Sequence, residues 1–240
     1  EKDWPRNGGT FWAHSHHHPT RGPTARGMAI LLSARLGHTD ASVIWRDPLG
    51  RGLAIRANIH TVPTVIVAFH ADTGAERQHA HSYHVLYECV PKLPNHDYVW
   101  LLDANNVADP TLDSERSDRA PNSQEHPLGV DALHECACKW GEDGDPLQDA
   151  FRLLYPSLRE YTRHSRWRNI TSYRRIDRGL VSPRLLDRTS APFVERVVHL
   201  RPSDEEMVAL RATGSNSKWS DHSAVQLTIR YTPTPTPIRL

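Results

Sequence analysis

A two-sheet β-sandwich flanked by helices, a four-layer α/β/β/α arrangement, is the fold class the sequence predicts. Three observations predict it: short apolar runs joined by turn residues in the first third, two helical-period stretches in the middle, and strand-like runs again towards the end. The first strand-like runs are Met28 to Ser33, Val43 to Arg46, Leu53 to Ile59 and Thr64 to Phe69. "DPLGRG" between the second and third has the Asp, Pro and Gly of a hairpin turn, so this part of the sheet is expected to be antiparallel. From Ala75 to Leu93 the residues Tyr83, Leu86, Tyr87 and Val90 fall on one face of a helix that Pro91 interrupts. A strand follows from Tyr98 to Leu102.

Residues 109–127 are polar and turn-rich and read as a surface loop. A helix is expected from Gly129 or Val130 to Trp140, then "GEDGD" breaks it, and "PLQDAFRLLY" reads as a short helix with Pro146 at its first position. Strands are expected again at Arg159 to Thr162, Ser172 to Val181, Glu195 to Leu200 and Ala224 to Tyr231. The N-terminal stretch through "HSHHHPTRGPTARG" has no regular period and reads as a loop. His14, His16, His17 and His18 could bind a transition metal, but no Cys or acid lies close in sequence, and a solvated His run is preferred. "TPTPTPIRL" at the end reads as an extended linker.

The 240 residues suffice for one large domain with a real core. Lys+Arg number 29 against Asp+Glu 28, so bulk charge gives no indication of a nucleic-acid partner. No apolar run approaches the roughly 20 residues that span a bilayer, and no membrane association is expected. Cys89, Cys136 and Cys138 cannot all pair internally and lack zinc-ribbon spacing, as in a reduced, intracellular protein.

Polar clusters sit at strand ends: His70 with Asp72, Asp103 with Asn105, Asp177 within "RRIDRGLVS", and Ser220, Asp221 and His222. Side chains alternate along a strand, so Asp103 and Asn105 share a face if the extended conformation continues through Ala104. Each cluster also has a plain structural explanation. Asp103 can cap its own turn, Asp177 can pair with Arg174, Arg175 or Arg178, and Asp221 and His222 can form a turn before the last strand. Together they carry what hard-cation phosphoester chemistry requires: carboxylates for a metal and for water, and donors for a phosphorane-like transition state.

The order and wording of these clusters resemble the endonuclease/exonuclease/phosphatase superfamily, most closely the apurinic-endonuclease-type domain of non-LTR retrotransposons. "RGMAILLSARL" resembles that family's Gly-Val-Ala-Ile-Leu strand, and "TVIVAFHADTGAERQ" the strand ending in Tyr-Ala-Pro. "VWLLDANNVADPTLD" resembles its Gly-Asp-Phe-Asn motif with a downstream acid, here Asp113. The run ending "RRID" resembles Ser-Arg-Ile-Asp, and "SDHSAV" carries Ser-Asp-His.

The resemblance implies a Mg²⁺- or Mn²⁺-dependent phosphodiesterase that nicks DNA. Asp103 would activate water or the leaving oxygen, Asn105 would bond the scissile phosphate, and Asp177 would orient His222. His222 would contact the phosphate or act as base, His70 would stand where the family has Tyr, and Asp221 would be a metal ligand. Separately from the resemblance, Arg163, Arg166, Arg168, Arg174, Arg175 and Arg178 put six cations around the Asp177 strand, so that Arg174, Arg175 and Arg178 would contact the nucleic acid, with ordinary surface solvation as the equal alternative. The resemblance also implies a domain over residues 1–231 that lacks the family's first strand and helix, a linker over 232–240, a reverse transcriptase domain beyond it in a longer polyprotein, and a nuclear or cytoplasmic location. The sequence departs from the family at Leu102, Ala104, His70 and Arg174, and the family's upstream Asn and metal-binding Glu have no counterpart here. A catalytically degenerate remnant of the domain, and a phosphatase acting on small phosphoesters, therefore stand as alternatives.

Overall fold

The computed structural model describes residues 9–14, 27–33, 36–116, 127–141, 144–167, 170–187, 189, 192–200 and 222–231. Strand β1 (Gly9–His14) pairs antiparallel with β2 (Gly27–Leu32). Residues 9–14, expected as loop, are thus a strand, because β2 offers an edge that completes their hydrogen bonds; His16, His17 and His18 lie outside the described residues.

Strands β3 (His38–Arg46), β4 (Gly52–Ile59) and β5 (Val62–His70) form the expected antiparallel meander. The β3–β4 turn is closed by Asp47, whose carboxylate accepts from the Arg51 backbone N–H at 3.0 Å and from Arg51 Nε at 2.9 Å. Gly50 takes the left-handed conformation there, φ +69°, which glycine adopts without steric cost. Helix α1 (Glu76–Cys89) carries the chain over to β6 (Asp97–Asp103), which pairs parallel with β5. The helix ends where the Val90 N–H bonds the Leu86 carbonyl, just before Pro91.

Residues 109–127 are not all surface loop. Asp109 caps a one-turn helix, α2 (Pro110–Asp113), and β7 (Ser114–Arg116) follows it. Helix α3 (Pro127–Trp140) forms as expected and packs along α1. The next short helix starts later than its proline suggests. Gln148–Asp149 forms a two-residue strand, β8, against the sheet, and Asp149 caps α4 (Ala150–Leu154) by accepting the Arg152 N–H at 3.2 Å.

The strand expected at 159–162 is displaced to β9 (Arg163–Trp167), which pairs with β10 (Ile170–Arg174). The single strand expected over 172–181 is two strands, β10 and β11 (Asp177–Val181), in different sheets. The break falls at Arg175 and Ile176. The Arg175 N–H bonds the Asp113 carbonyl at 2.9 Å, and the Ile176 carbonyl accepts from Ala104 N–H at 2.8 Å, so neither residue is free to continue a ladder. Strands β12 (Phe193–Leu200) and β13 (Ala224–Arg230) form close to their expected bounds, and they pair antiparallel with each other. Residues 232–240 lie outside the described residues.

The result is a multilayer α/β sandwich. Its centre is a six-stranded sheet in the order β3-β4-β5-β6-β11-β8. On one face Tyr98, Trp100 and Leu102 of β6 and Val65, Val67 and Phe69 of β5 pack on Tyr83 and Leu86 of α1 and on Leu133, Cys136 and Trp140 of α3. The other face meets Ile30 and Leu32 of β2 in one cluster, and Val194, Val197 and Leu227 of β12 and β13 in another. Each fully buried large side chain in these clusters contributes about 1.5–3 kcal/mol. Gly179 of β11 sits where β13 presses closest, since a Cβ there would lie 2.8 Å from Leu227 Cδ1. Gly179→Ala is expected to destabilise by about 1–2 kcal/mol, read from the urea midpoint, with Leu227→Ala in the same chain recovering part of the loss.

Candidate active site

Three adjacent strands bring their polar ends into one row. The register pairs His70 of β5 with Asp103 of β6, and Asp103 with Asp177 of β11. Paired residues point to the same face, so one imidazole and two carboxylates line up at the carboxyl ends of β5 and β6. Two parallel apolar strands that end together leave such a rim open to solvent, while their middles stay buried.

His222 comes from far along the chain. A single bridge joins it to Arg163, and Ser223 N–H bonds the Thr162 carbonyl. Thr162 also fixes the other side of the site: its buried hydroxyl oxygen accepts from the N–H groups of both Ile176 and Asp177, each at 3.0 Å. One threonine thus sets the start of β11 and the approach of His222. Nothing in its sequence context distinguishes Thr162, because its role depends on two segments that meet only in the fold.

His222 Nδ1 lies 2.9 and 3.2 Å from the two Asp177 oxygens and 3.9 Å from Asp103 Oδ2. His70 Nε2 stands 3.4 Å from the same Asp103 oxygen. Asn105 joins them in another way than strand alternation. β6 ends at Asp103, and Asn105 has φ +48°, the left-handed conformation that Asn tolerates. Its N–H donates to Asp103 Oδ1 at 3.2 Å, and its Nδ2 donates to the Ala71 carbonyl at 2.9 Å, 3.5 Å from His70 Nε2. Asp103 and Asn105 therefore converge through a tight turn, and the expectation of a continued extended strand is corrected.

Burial pushes the Asp103 carboxyl up from its ordinary range, and the neighbouring Asp177 charge adds to this, against the opposing pull of His70, His222 and the Asn105 N–H. A half-buried carboxylate so placed is suited to exchange protons with a water or an ester oxygen. Asp103, Asp177 and His222 also form a group that could hold a divalent metal, one ligand atom of each lying within 4.8 Å of the others. Asp221 lies outside the described residues.

The arginines are placed otherwise than expected. Arg175 and Arg178 are buried, at 1% and 4% exposure, and at these positions they do not meet a solvent-borne phosphate. Arg175 holds Asp113 through Nε at 2.8 Å and Asp149 through Nη1 at 2.8 Å, while Arg178 Nη2 donates to the Asn106 carbonyl at 2.7 Å. Carboxylates and a carbonyl that are distant in sequence draw both guanidinium groups inward. Arg174 is half-buried on β10, opposite Arg163.

No sequence family and no curated protein matches the chain. Solved structures do. An AP endonuclease from Archaeoglobus fulgidus superposes with a TM-score of 0.58 at 19% identity, covering 93% of this chain and 79% of that one. The AP endonuclease LMAP from Leishmania major gives 0.56 at 18%, covering 94% and 71%. The endonuclease domain of TRAS1, a telomere-specific non-LTR retrotransposon, gives 0.52 at 13%, covering 95% and 82%. At these identities the likeness is one of fold, and the chain has the α/β-sandwich fold of AP endonucleases and of other endonuclease/exonuclease/phosphatase proteins.

Proposed function

We propose that the chain hydrolyses phosphodiester bonds in DNA with the help of Mg²⁺ or Mn²⁺, nicking one strand. The observation that carries this reading is the row of His70, Asp103 and Asp177 with His222 set against Asp177. Asp103, placed between His70 and Asp177, serves the attacking water or the leaving oxygen. Asn105 commits one amide hydrogen to Ala71, and its second, now near His70 Nε2 at 3.5 Å, would turn from that long contact to a phosphate oxygen, since a primary amide has two donors. His222 turns Nδ1 to Asp177, so Nε2 is the atom left for the phosphate or for water, with Asp177 holding the ring in orientation. His70 supplies a further donor beside Asp103.

The donor set fits a hard cation. Two carboxylates face one another across paired strands, and a cation beside them would offset the like-charge repulsion that adds to burial in raising the Asp103 proton affinity. Oxygens of Asp103 and Asp177, with Asp221 next to His222, would hold it, because His222 Nδ1 is taken up by Asp177. Bound there, the ion would polarise a phosphate oxygen and offset the charge that develops on it. The fold shared with the TRAS1 endonuclease domain and the motif order support a retrotransposon-type setting, with DNA as partner and a reverse transcriptase domain further along a longer polyprotein.

The test is relaxation of supercoiled plasmid by the purified chain. Nicking is expected with Mg²⁺ or Mn²⁺, is lost on adding EDTA, and falls at least about a hundredfold in Asp103→Ala. A chain that hydrolyses p-nitrophenyl phosphate but leaves plasmid intact is a phosphatase. A chain that acts on neither with the metal present is the non-catalytic remnant, and the nuclease reading is then wrong.

A further inference from the structure

Resting on the nuclease reading and deepening it, we infer that Tyr83 and His79 of α1 are positioning residues that set the geometry of Asp103 and Asn105 through the Ala104 carbonyl. Ala104 is the one residue between the two, and it is fully buried. Its carbonyl oxygen accepts two hydrogen bonds, from the Tyr83 hydroxyl at 2.6 Å and from His79 Nε2 at 2.9 Å. Its N–H donates to the Ile176 carbonyl at 2.8 Å. The peptide groups on both sides of Ala104 are therefore fixed, and Asn105 follows in the left-handed conformation that brings its N–H onto Asp103 and its amide onto Ala71.

Packing alone does not call for these residue types. His79 and Tyr83 stand four apart on the buried face of α1, both with no exposed surface, and each brings into the core a polar group that is costly there unless it is hydrogen-bonded. A carbonyl oxygen only accepts, so His79 presents a proton on Nε2. The ring is wedged against α3: a Cβ on Gly129 would lie 1.9 Å from His79 Nδ1, and only glycine leaves it room. Tyr83 is tied in further by Asn106, whose Nδ2 donates to its hydroxyl at 3.3 Å, while Arg178 holds the Asn106 carbonyl. Burial raises the Tyr83 phenol far above its ordinary range, which keeps it a donor at every working pH. The loop that follows Asp103 is thus suspended from a buried polar scaffold, and a displacement of about 1 Å at a reacting group costs about a hundredfold in rate.

The experiment compares Tyr83→Phe with Tyr98→Phe, by plasmid nicking and by amide hydrogen exchange. Tyr98 is an equally buried phenol at the opposite end of β6, where it exchanges hydrogen bonds with the Leu93 backbone, so its loss has a structural cost alone. Tyr83→Phe is expected to lower kcat about ten- to a hundredfold with KM for DNA within about threefold, and to speed exchange of the Asn105 amide about tenfold or more. Tyr98→Phe is expected to leave both near wild type. A second pair guards against misfolding: His79→Gln, which keeps a donor, is expected to retain more kcat than His79→Leu. The inference is overturned if Asn105 exchange and kcat are unchanged in Tyr83→Phe, or if Tyr98→Phe changes them as much. A wild-type chain that does not nick overturns the nuclease reading alone, and exchange at Asn105 then still supports or overturns the holding of this turn by Tyr83.

Discussion

Asp113→Ala is expected to destabilise the fold by about 3–5 kcal/mol, the cost of leaving a buried charge without its partner. Asp113 is fully buried at the end of α2 and binds Arg175 through both oxygens, Oδ1 to Nε at 2.8 Å and Oδ2 to Nη2 at 3.1 Å. Arg152 donates to the same carboxylate and reaches the Tyr155, Pro156 and Leu158 carbonyls as well. Burial alone would raise the Asp113 carboxyl, but the hydrogen bonds and charges of Arg175, with Arg178 and Arg152, override it and hold it below its ordinary value. In Asp113→Ala the Arg175 guanidinium keeps only Asp149, with two of its nitrogens buried and unpaired. Chemical unfolding checks the size. The double variant Asp113→Leu with Arg175→Met is expected to lose less than Asp113→Ala alone, because removing both partners also removes the desolvation cost of each. A loss under about 1 kcal/mol in the single variant would mean that water or neighbouring groups satisfy Arg175, against its burial.

The same network explains why part of this molecule can be read from its sequence and part cannot. The apolar runs of β4, β5 and β6 and the periodicity of α1 and α3 are local properties, and the expected elements form close to their expected bounds. Register is not local. That His70, Asp103 and Asp177 occupy one row follows from how three strands align, and no residue in any one strand specifies it. The convergence of Asp103 and Asn105 is legible as composition but comes about by a turn, since the buried donors that capture Ala104 lie on a helix some twenty residues earlier. Charge is the least legible. Arg174, Arg175 and Arg178 look alike in a basic stretch, yet Asp113, Asp149 and the Asn106 carbonyl bury two of them. Asp113 was visible as an acid downstream of Asn105, and its role as an anchor is apparent only when Arg175 arrives beside it. The single strand expected over 172–181 breaks at the same place, because the Arg175 N–H turns to the Asp113 carbonyl while the Ile176 carbonyl turns to Ala104.

Acid is expected to weaken the fold in a window set by His199, and the sign follows from burial. His199 of β12 stacks on Phe151 with ring centroids 4.5 Å apart, and its side chain is 3% exposed. Burial, with the adjacent Arg175 charge, lowers its imidazole to about 4, against the opposing pull of Asp149, Asp177 and Asp113. Glu160, 3.1 Å away, also favours the charged ring, but it is half exposed and screened by solvent. The unfolded chain protonates this histidine near 6.5. Between pH 6.5 and about 4 the unfolded state therefore binds a proton that the native state refuses, and stability falls as pH falls through that interval. At neutral pH, where both states are unprotonated, the contribution is absent. The loss reaches about 2–3 kcal/mol at the acid end. Asp113 acts in the same direction but in a lower window, because its depressed native value makes its contribution disappear only below the ordinary carboxylate range near 3.8. The two are separable by measuring urea unfolding at pH 7, 5.5 and 4.5 in wild type and in His199→Gln, which cannot titrate. The wild-type midpoint is expected to drop across this series and the variant's to stay nearly level, whatever its own stability at pH 7. Parallel slopes would assign the acid sensitivity to other groups and would mean that the Glu160 contact, rather than burial, governs the His199 proton.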